Sequence, residues 1–145
     1  MYTGNFCFDK AIIIDDTDLD RYLAQAFIKK HHFANEIIEF EFAKEAVEFL
    51  KDNKNNFRGV RILIFLDIRM PQMDGFEFLE ESRELLEFMK ENCFVIMLSS
   101  SIDENDYRRA EENPYVTKFM SKPLDGLKLQ EIKKYCMPFP EENRA

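Results

Sequence analysis

Phe65-Leu66-Asp67-Ile68-Arg69-Met70-Pro71-Gln72-Met73-Asp74-Gly75, read FLDIRMPQMDG, decides the architecture of this chain. It continues a run at 61–66 whose last five residues, ILIFL, are all apolar, and the run stops at a carboxylate, Asp67. A strand that is apolar at every position is buried on both faces, as in a parallel sheet covered by helices. Downstream, 76–89 carries Phe76, Leu79, Leu86 and Met89 at helical spacing with acids on the other face, which predicts an amphipathic helix. Asp74 is placed to cap it and Gly75 to relieve the turn leading into it.

The pattern repeats outward in both directions. Strand-like runs lie at 11–14, 36–42, 94–98 and 116–120, and helical patterns at 18–30, 43–50, 104–112 and 127–135. Strand and helix therefore alternate five times, which predicts a doubly wound α/β sheet, parallel throughout, with helices on both faces. AIII (11–14) and FVIML (94–98) are apolar throughout like ILIFL, whereas NEIIEFEF alternates, so the second strand is expected at an edge. The polar stretch 52–59 reads as a surface loop. The expected organisation is an N-terminal extension over 1–8, one domain over 9–136 and a loose tail over 137–145, with no room for an output domain.

Composition narrows the function. Lys and Arg number 20 against 28 Asp and Glu, a formal charge of −8, which repels phosphate backbones, and no basic run offers a site for DNA or anionic lipid. With 46% hydrophobic residues, 15 of all residues being Phe, the chain has enough apolar surface for a core and disorder is excluded for its body. Cys7, Cys93 and Cys136 form no C-x-x-C pair, and His31 and His32 diverge on a helix without partners at zinc spacing, so neither a disulfide framework nor a zinc site is expected. No stretch approaches the roughly 20 apolar residues that span a bilayer. A soluble, cytoplasmic protein is expected.

In an open parallel sheet ligands bind beyond the carboxyl ends of the strands, where strand order reverses. The first run ends in Asp15 and Asp16, the third in Asp67, the fourth in Ser99, Ser100 and Ser101, and the fifth runs into Ser121, Lys122 and Pro123. Three carboxylates brought together repel one another unless a hard cation neutralises them, and an all-oxygen site suits Mg²⁺. Any one of these residues alone reads as a helix cap or a solvated lysine; their joint occurrence at successive strand ends points to a site.

IIIDD, FLDIRMPQMDG, VIMLSSS and FMSKP, in that order, resemble the receiver domain of two-component response regulators over roughly residues 8 to 136. The resemblance implies the flavodoxin-like strand order 2-1-3-4-5 with five helices, in a freestanding single-domain regulator. It implies that Asp67 accepts the phosphoryl group, that Asp16 binds Mg²⁺ directly and Asp15 through water, and that the backbone carbonyl of Arg69 completes the ligands. Lys122 would pair with the phosphoryl oxygens, Ser99 would hydrogen-bond to them beside Ser100, Phe119 would report the switch, and Pro123 would follow a cis bond that aims Lys122. Arg69 and Ser101, two places after the acceptor and after the switch hydroxyl, would tune dephosphorylation. Phosphoryl transfer asks little beyond positioning and charge neutralisation, which a cation and one lysine supply.

The implied function is a signalling switch rather than an enzyme, catalysing only its own phosphorylation and dephosphorylation. Its donor would be a sensor histidine kinase or a histidine phosphotransfer protein. Its output would be a partner protein, or a second copy through the fourth helix (104–112), fifth strand and fifth helix (127–135), with no nucleic acid or membrane partner. A phosphorelay intermediate is the alternative. Ser99 stands where Thr is usual, Ser100 where Ala is frequent, and Asn113-Pro114 in place of a glycine turn. Ser lacks the methyl that restricts its rotamer, which implies looser coupling, and Phe119 has no hydroxyl to donate. A haloacid-dehalogenase-like phosphatase fails because Asp67 would have no role. An EF-hand at Asp16, Asp18 and Asp20 lacks its turn glycine and bidentate Glu, and a flavin carrier would set Asp15-Asp16 against the flavin phosphate.

Overall fold

A computed structural model describes residues 6–101 and 103–136 of the chain. Five strands, β1 (Phe8–Ile14), β2 (Ala34–Phe40), β3 (Ile62–Asp67), β4 (Cys93–Ser99) and β5 (Val116–Ser121), form one sheet in the order β2-β1-β3-β4-β5, all neighbours parallel. Six helices connect and follow them: α1 (Asp18–Lys30), α2 (Ala43–Asp52), α3 (Gly75–Glu81), α4 (Arg83–Met89), α5 (Glu104–Glu112) and α6 (Gly126–Cys136). This is the doubly wound, flavodoxin-like architecture, with β2 at an edge.

The two-residue period of the central strands splits the core in two. Ile12, Ile14, Ile62, Ile64, Leu66, Val95 and Met97 face α2 to α5, while Ala11, Ile13, Leu63, Phe65, Ile96 and Leu98 face α1 and α6 through Ala24, Ile28, Leu129 and Ile132. Both faces of β3 are fully buried, the reason ILIFL has no polar position.

The element count differs from the five helices expected. The helix predicted over 76–89 is two, α3 and α4, with Ser82 between them at ψ 8°. Phe78, Leu79, Ser82, Leu85, Leu86 and Met89 are all buried, so the apolar period runs through the break and the sequence reads as one helix. The break falls at buried Ser82, whose hydroxyl has no hydrogen-bond partner among the described residues. The loop expected over 52–59 contains a 3₁₀ turn, Lys54–Phe57, anchored by buried Phe57.

Strand limits shift as well. β1 starts at Phe8, which the sequence assigned to the extension, because the intervening Asp9 and Lys10 are satisfied at the sheet's rim: Asp9 accepts the Arg61 N–H at 2.9 Å, and Lys10 pairs with Glu36. β2 starts and stops two residues before the predicted 36–42, since the chain re-enters the sheet directly from α1 through Phe33, whose carbonyl accepts the Phe8 N–H at 3.0 Å. Residues 1–5 of the expected extension and the tail 137–145 lie outside the described residues. No helix among the described residues is long and apolar enough to cross a membrane.

Candidate functional site

The chain leaves β1 toward β2 on one side and returns as β3 on the other, so the loops after β1 and β3 diverge and open a crevice at the strands' carboxyl ends. Asp15 and Asp16 follow β1, and Asp67 is the last residue of β3. One carboxylate oxygen from each lies within 4.8 Å of the other two. Asp15 and Asp67 are 4% and 5% exposed, carried under the surface by the apolar strands that hold them.

Lys122, just past β5, brings the opposing charge. Its Nζ lies 2.8 Å from Asp15 Oδ2, 2.8 Å from Asp20 Oδ2 and 3.2 Å from Asp67 Oδ1. Its backbone N–H donates to the Ser99 carbonyl at 2.8 Å, tying β5 to the end of β4, and the Lys122–Pro123 peptide bond is cis. The other oxygen of Asp15 accepts the Thr17 N–H at 3.0 Å, so both Asp15 oxygens are engaged. Asp16 has no ion-pair partner among the described residues.

Burial pushes the Asp67 carboxyl up to about 7, the charge of Asp15 adds to the rise, and Lys122 opposes it. Asp15 is raised mainly by burial, against hydrogen bonds from Lys122 and Thr17. For Lys122 burial disfavours the ammonium, but hydrogen bonds to Asp15 and Asp20 and the charges of Asp15 and Asp67 outweigh it and hold the group above the ordinary lysine range. One ammonium thus faces an excess of carboxylate. A set of oxygen-only donors with surplus negative charge fits a hard divalent cation and lacks the nitrogen or sulfur ligands of a zinc site.

The remaining residues singled out in the sequence surround this centre. The buried Ser99 hydroxyl donates to the Ser101 carbonyl at 2.6 Å and accepts the Ser101 N–H at 3.3 Å, so it is satisfied by its own loop. Ser100 and Ser101 are exposed. Phe119 is buried under the edge of the Tyr107 ring, with centroids 5.7 Å apart. The Arg69 guanidinium is engaged by α5: it pairs with buried Asp106 and lies 3.8 Å from Asp103, which caps that helix.

Asp74 caps α3 as expected, accepting the Glu77 N–H at 2.9 Å while its own N–H donates to Glu77 Oε1 at 2.9 Å. Gly75 serves differently from the turn role expected of it. The left-handed backbone is at Gln72, with φ 71°, whereas a Cβ on Gly75 would stand 2.6 Å from the Asp67 carbonyl oxygen. The glycine is there so that α3 can abut the end of β3.

Three residues that brace the cluster were not assigned to it from sequence. Asp20 reaches Lys122 from the first turn of α1. Arg21 donates to the Asp15 carbonyl at 2.7 Å and pairs with Asp18 and Glu39, bracing the β1–α1 turn. Asp106 anchors Arg69. None of the three carried a local signal, since each pairs with a residue distant in the chain or sits where a helix end also favours its charge.

The family model described as response regulator receiver domain matches residues 11–134. A probable methanogenesis regulatory protein, FilR2 of Methanothrix harundinacea, is 28% identical over 132 residues, covering 87% of this chain and 82% of that protein. Among solved structures, a two-component response regulator from Cytophaga hutchinsonii superposes with a TM-score of 0.82 at 28% identity, over 91% of this chain and 98% of its own. The receiver domain of the histidine kinase CKI1 from Arabidopsis thaliana, solved with Mg²⁺, shares the fold with a TM-score of 0.73 at 21% identity, over 87% and 90% of the two chains. A family match over most of the 145 residues is decisive: the chain belongs to the response regulator receiver domains.

Proposed function

We propose that this chain is a phosphorylation-dependent signalling switch in which Asp67 takes a phosphoryl group from a phosphohistidine of a sensor histidine kinase or histidine phosphotransfer protein. The observation that carries the reading is Asp67 itself, a buried carboxylate held between Asp15, Asp16 and the Lys122 ammonium. An Asp67 oxygen attacks phosphorus, the new O–P bond forms as the N–P bond breaks, and the imidazole nitrogen keeps the electron pair. Asp15, Asp16 and Asp67, with the Arg69 carbonyl, would hold Mg²⁺, which supplies positive charge for the phosphoryl oxygens. Lys122 supplies the second positive centre and opposes the burial and like charge that favour a protonated Asp67. The chain's own catalysis is limited to gaining and losing this group, and the reading places it in the cytoplasm.

Ser99 has to exchange its bond to the Ser101 carbonyl for a phosphoryl oxygen, with Ser100 beside it. That exchange would change the loop leading to α5 and reach Phe119 beneath Tyr107. Phosphorylation is then read on the face formed by α5, β5 and α6 by a partner protein or a second copy. Arg69 and Ser101, flanking the acceptor and the switch hydroxyl, set the lifetime of the phosphorylated form.

The decisive experiment weighs the protein after incubation with Mg²⁺ and acetyl phosphate. Wild type should gain one phosphoryl mass and Asp67→Asn none; equal gain in both would move the acceptor elsewhere.

A further inference from the structure

Lys122 is shared among more acceptors than its role at Asp67 requires. An ammonium has three N–H donors, and Asp15, Asp20 and Asp67 crowd it at 2.8, 2.8 and 3.2 Å, with a hydrogen bond directed to Asp20. Asp20 differs from the other two in origin and surroundings. It projects from the first turn of α1 rather than from a strand end, it lies outside the Asp15–Asp16–Asp67 trio, and its side chain is 27% exposed where those of Asp15 and Asp67 are each 6%. A cation held by the trio would neutralise Asp15 and Asp67 and would leave Asp20 as the acceptor still competing for the lysine.

Asp20 has two opposing effects on that lysine. It orders a long side chain, and it draws the ammonium's charge toward α1. The ordering adds little, because Lys122 is only 10% exposed and is already fixed by Asp15 and by its backbone bond to Ser99. The competition is direct: a phosphoryl group on Asp67 needs an N–H from an ammonium that already donates to Asp20 at 2.8 Å, and Asp20 adds a like charge nearby.

Resting on the reading of Asp67 as phosphoacceptor, we propose that Asp20 is a positioning residue that competes with the phosphoryl group for Lys122 and so weakens the site's hold on it.

The test is calorimetric titration with beryllofluoride, a phosphoryl mimic, at saturating Mg²⁺. Asp20→Asn keeps an oxygen for Lys122 but removes the charge, and it should bind the mimic about two- to fivefold more tightly than wild type, the range of a partly exposed ion pair. In a Lys122→Met background, or Lys122→Gln if that variant fails to fold, the same substitution should change affinity by less than its effect in wild type. Unchanged or weaker binding in Asp20→Asn overturns the proposal, and so does equal tightening in both backgrounds, which would be a field effect that bypasses Lys122. Wild type that takes up no mimic, or Asp67→Asn that takes it up equally, instead defeats the acceptor reading, and the proposal falls with it.

Discussion

Gly75 meets Asp67 through backbone alone. Its Cα packs where a methyl would stand 2.6 Å from the Asp67 carbonyl oxygen, 3.0 Å from Met97 Cε and 3.1 Å from Ile68 Cα. Met97 can shift, but the other two are main chain at and just past the end of β3, the strand that carries Asp67. Gly75→Ala is therefore expected to destabilise the fold by about 2 kcal/mol, in the range of overpacked cores, and to weaken beryllofluoride uptake beyond that loss by displacing Asp67. Urea denaturation alongside a binding titration checks it; a neutral or stabilising Gly75→Ala, the ordinary helix-propensity result, would show that the contact yields easily. The need for a glycine was legible in Asp74-Gly75, but its cause was not, since a close approach between residues eight apart leaves no local signature. Asp15, Asp16 and Asp67 were legible for the opposite reason, standing where apolar runs stop, and Lys122 because it follows the end of the fifth strand-like run. Asp20 was hidden because a carboxylate in a first helical turn is also what the helix dipole favours.

Helices α3 and α5 meet the site through one ion cluster. Arg69, in the loop between β3 and α3, pairs with Asp106 of α5, a residue 3% exposed, and Arg109 of the same helix stands 4.0 Å from Asp106 while its guanidinium lies 4.0 Å over the Phe76 ring of α3. Asp103 accepts the Asn105 N–H at 2.8 Å and so starts α5. Removing Arg69 leaves a buried carboxylate with one distant cation, a costly state moderated here because Arg69 is itself more than half exposed. Arg69→Ala is thus expected to speed amide hydrogen exchange about tenfold across α5 while leaving β1 and β3 unchanged. Uniform acceleration, or none, would mean that the cluster does not hold the helix. Neither this cluster nor the bend at Ser82 could be read from the sequence. The ion pair joins residues 37 apart, and the bend interrupts an apolar period that continues on both sides. The helices themselves were legible because their buried faces repeat at 3.6 residues, while side-chain caps mark the starts of α3 at Asp74 and α5 at Asp103 but not that of α2, which begins after Phe42.

At the scale of the whole molecule, the strand-by-strand apolar pattern carries the topology, because a strand buried on both faces admits only helices on either side. What it builds is a sheet whose carboxyl ends gather like charge in a chain already at −8, and this gives the metal-free protein a definite pH dependence. The Asp67 carboxyl sits at about 7 in the fold, against about 3.9 in an unfolded chain. The folded state therefore holds this proton more tightly than the unfolded state, so Asp67 costs stability as pH rises from about 4 and reaches its full cost just above 7. The Asn variant lacks that titration. In EDTA, wild type is expected to lose stability relative to Asp67→Asn across this window, by up to about 4 kcal/mol. Mg²⁺ added at neutral pH should recover much of the loss, since a cation that binds only the folded, ionised site raises stability by mass action. Urea denaturation of both proteins at several pH values, with EDTA and with Mg²⁺, measures both effects. Parallel stability profiles for the two proteins in EDTA would mean that Asp67 is not held protonated by its surroundings. A Mg²⁺ effect of equal size in both would place the cation away from Asp67.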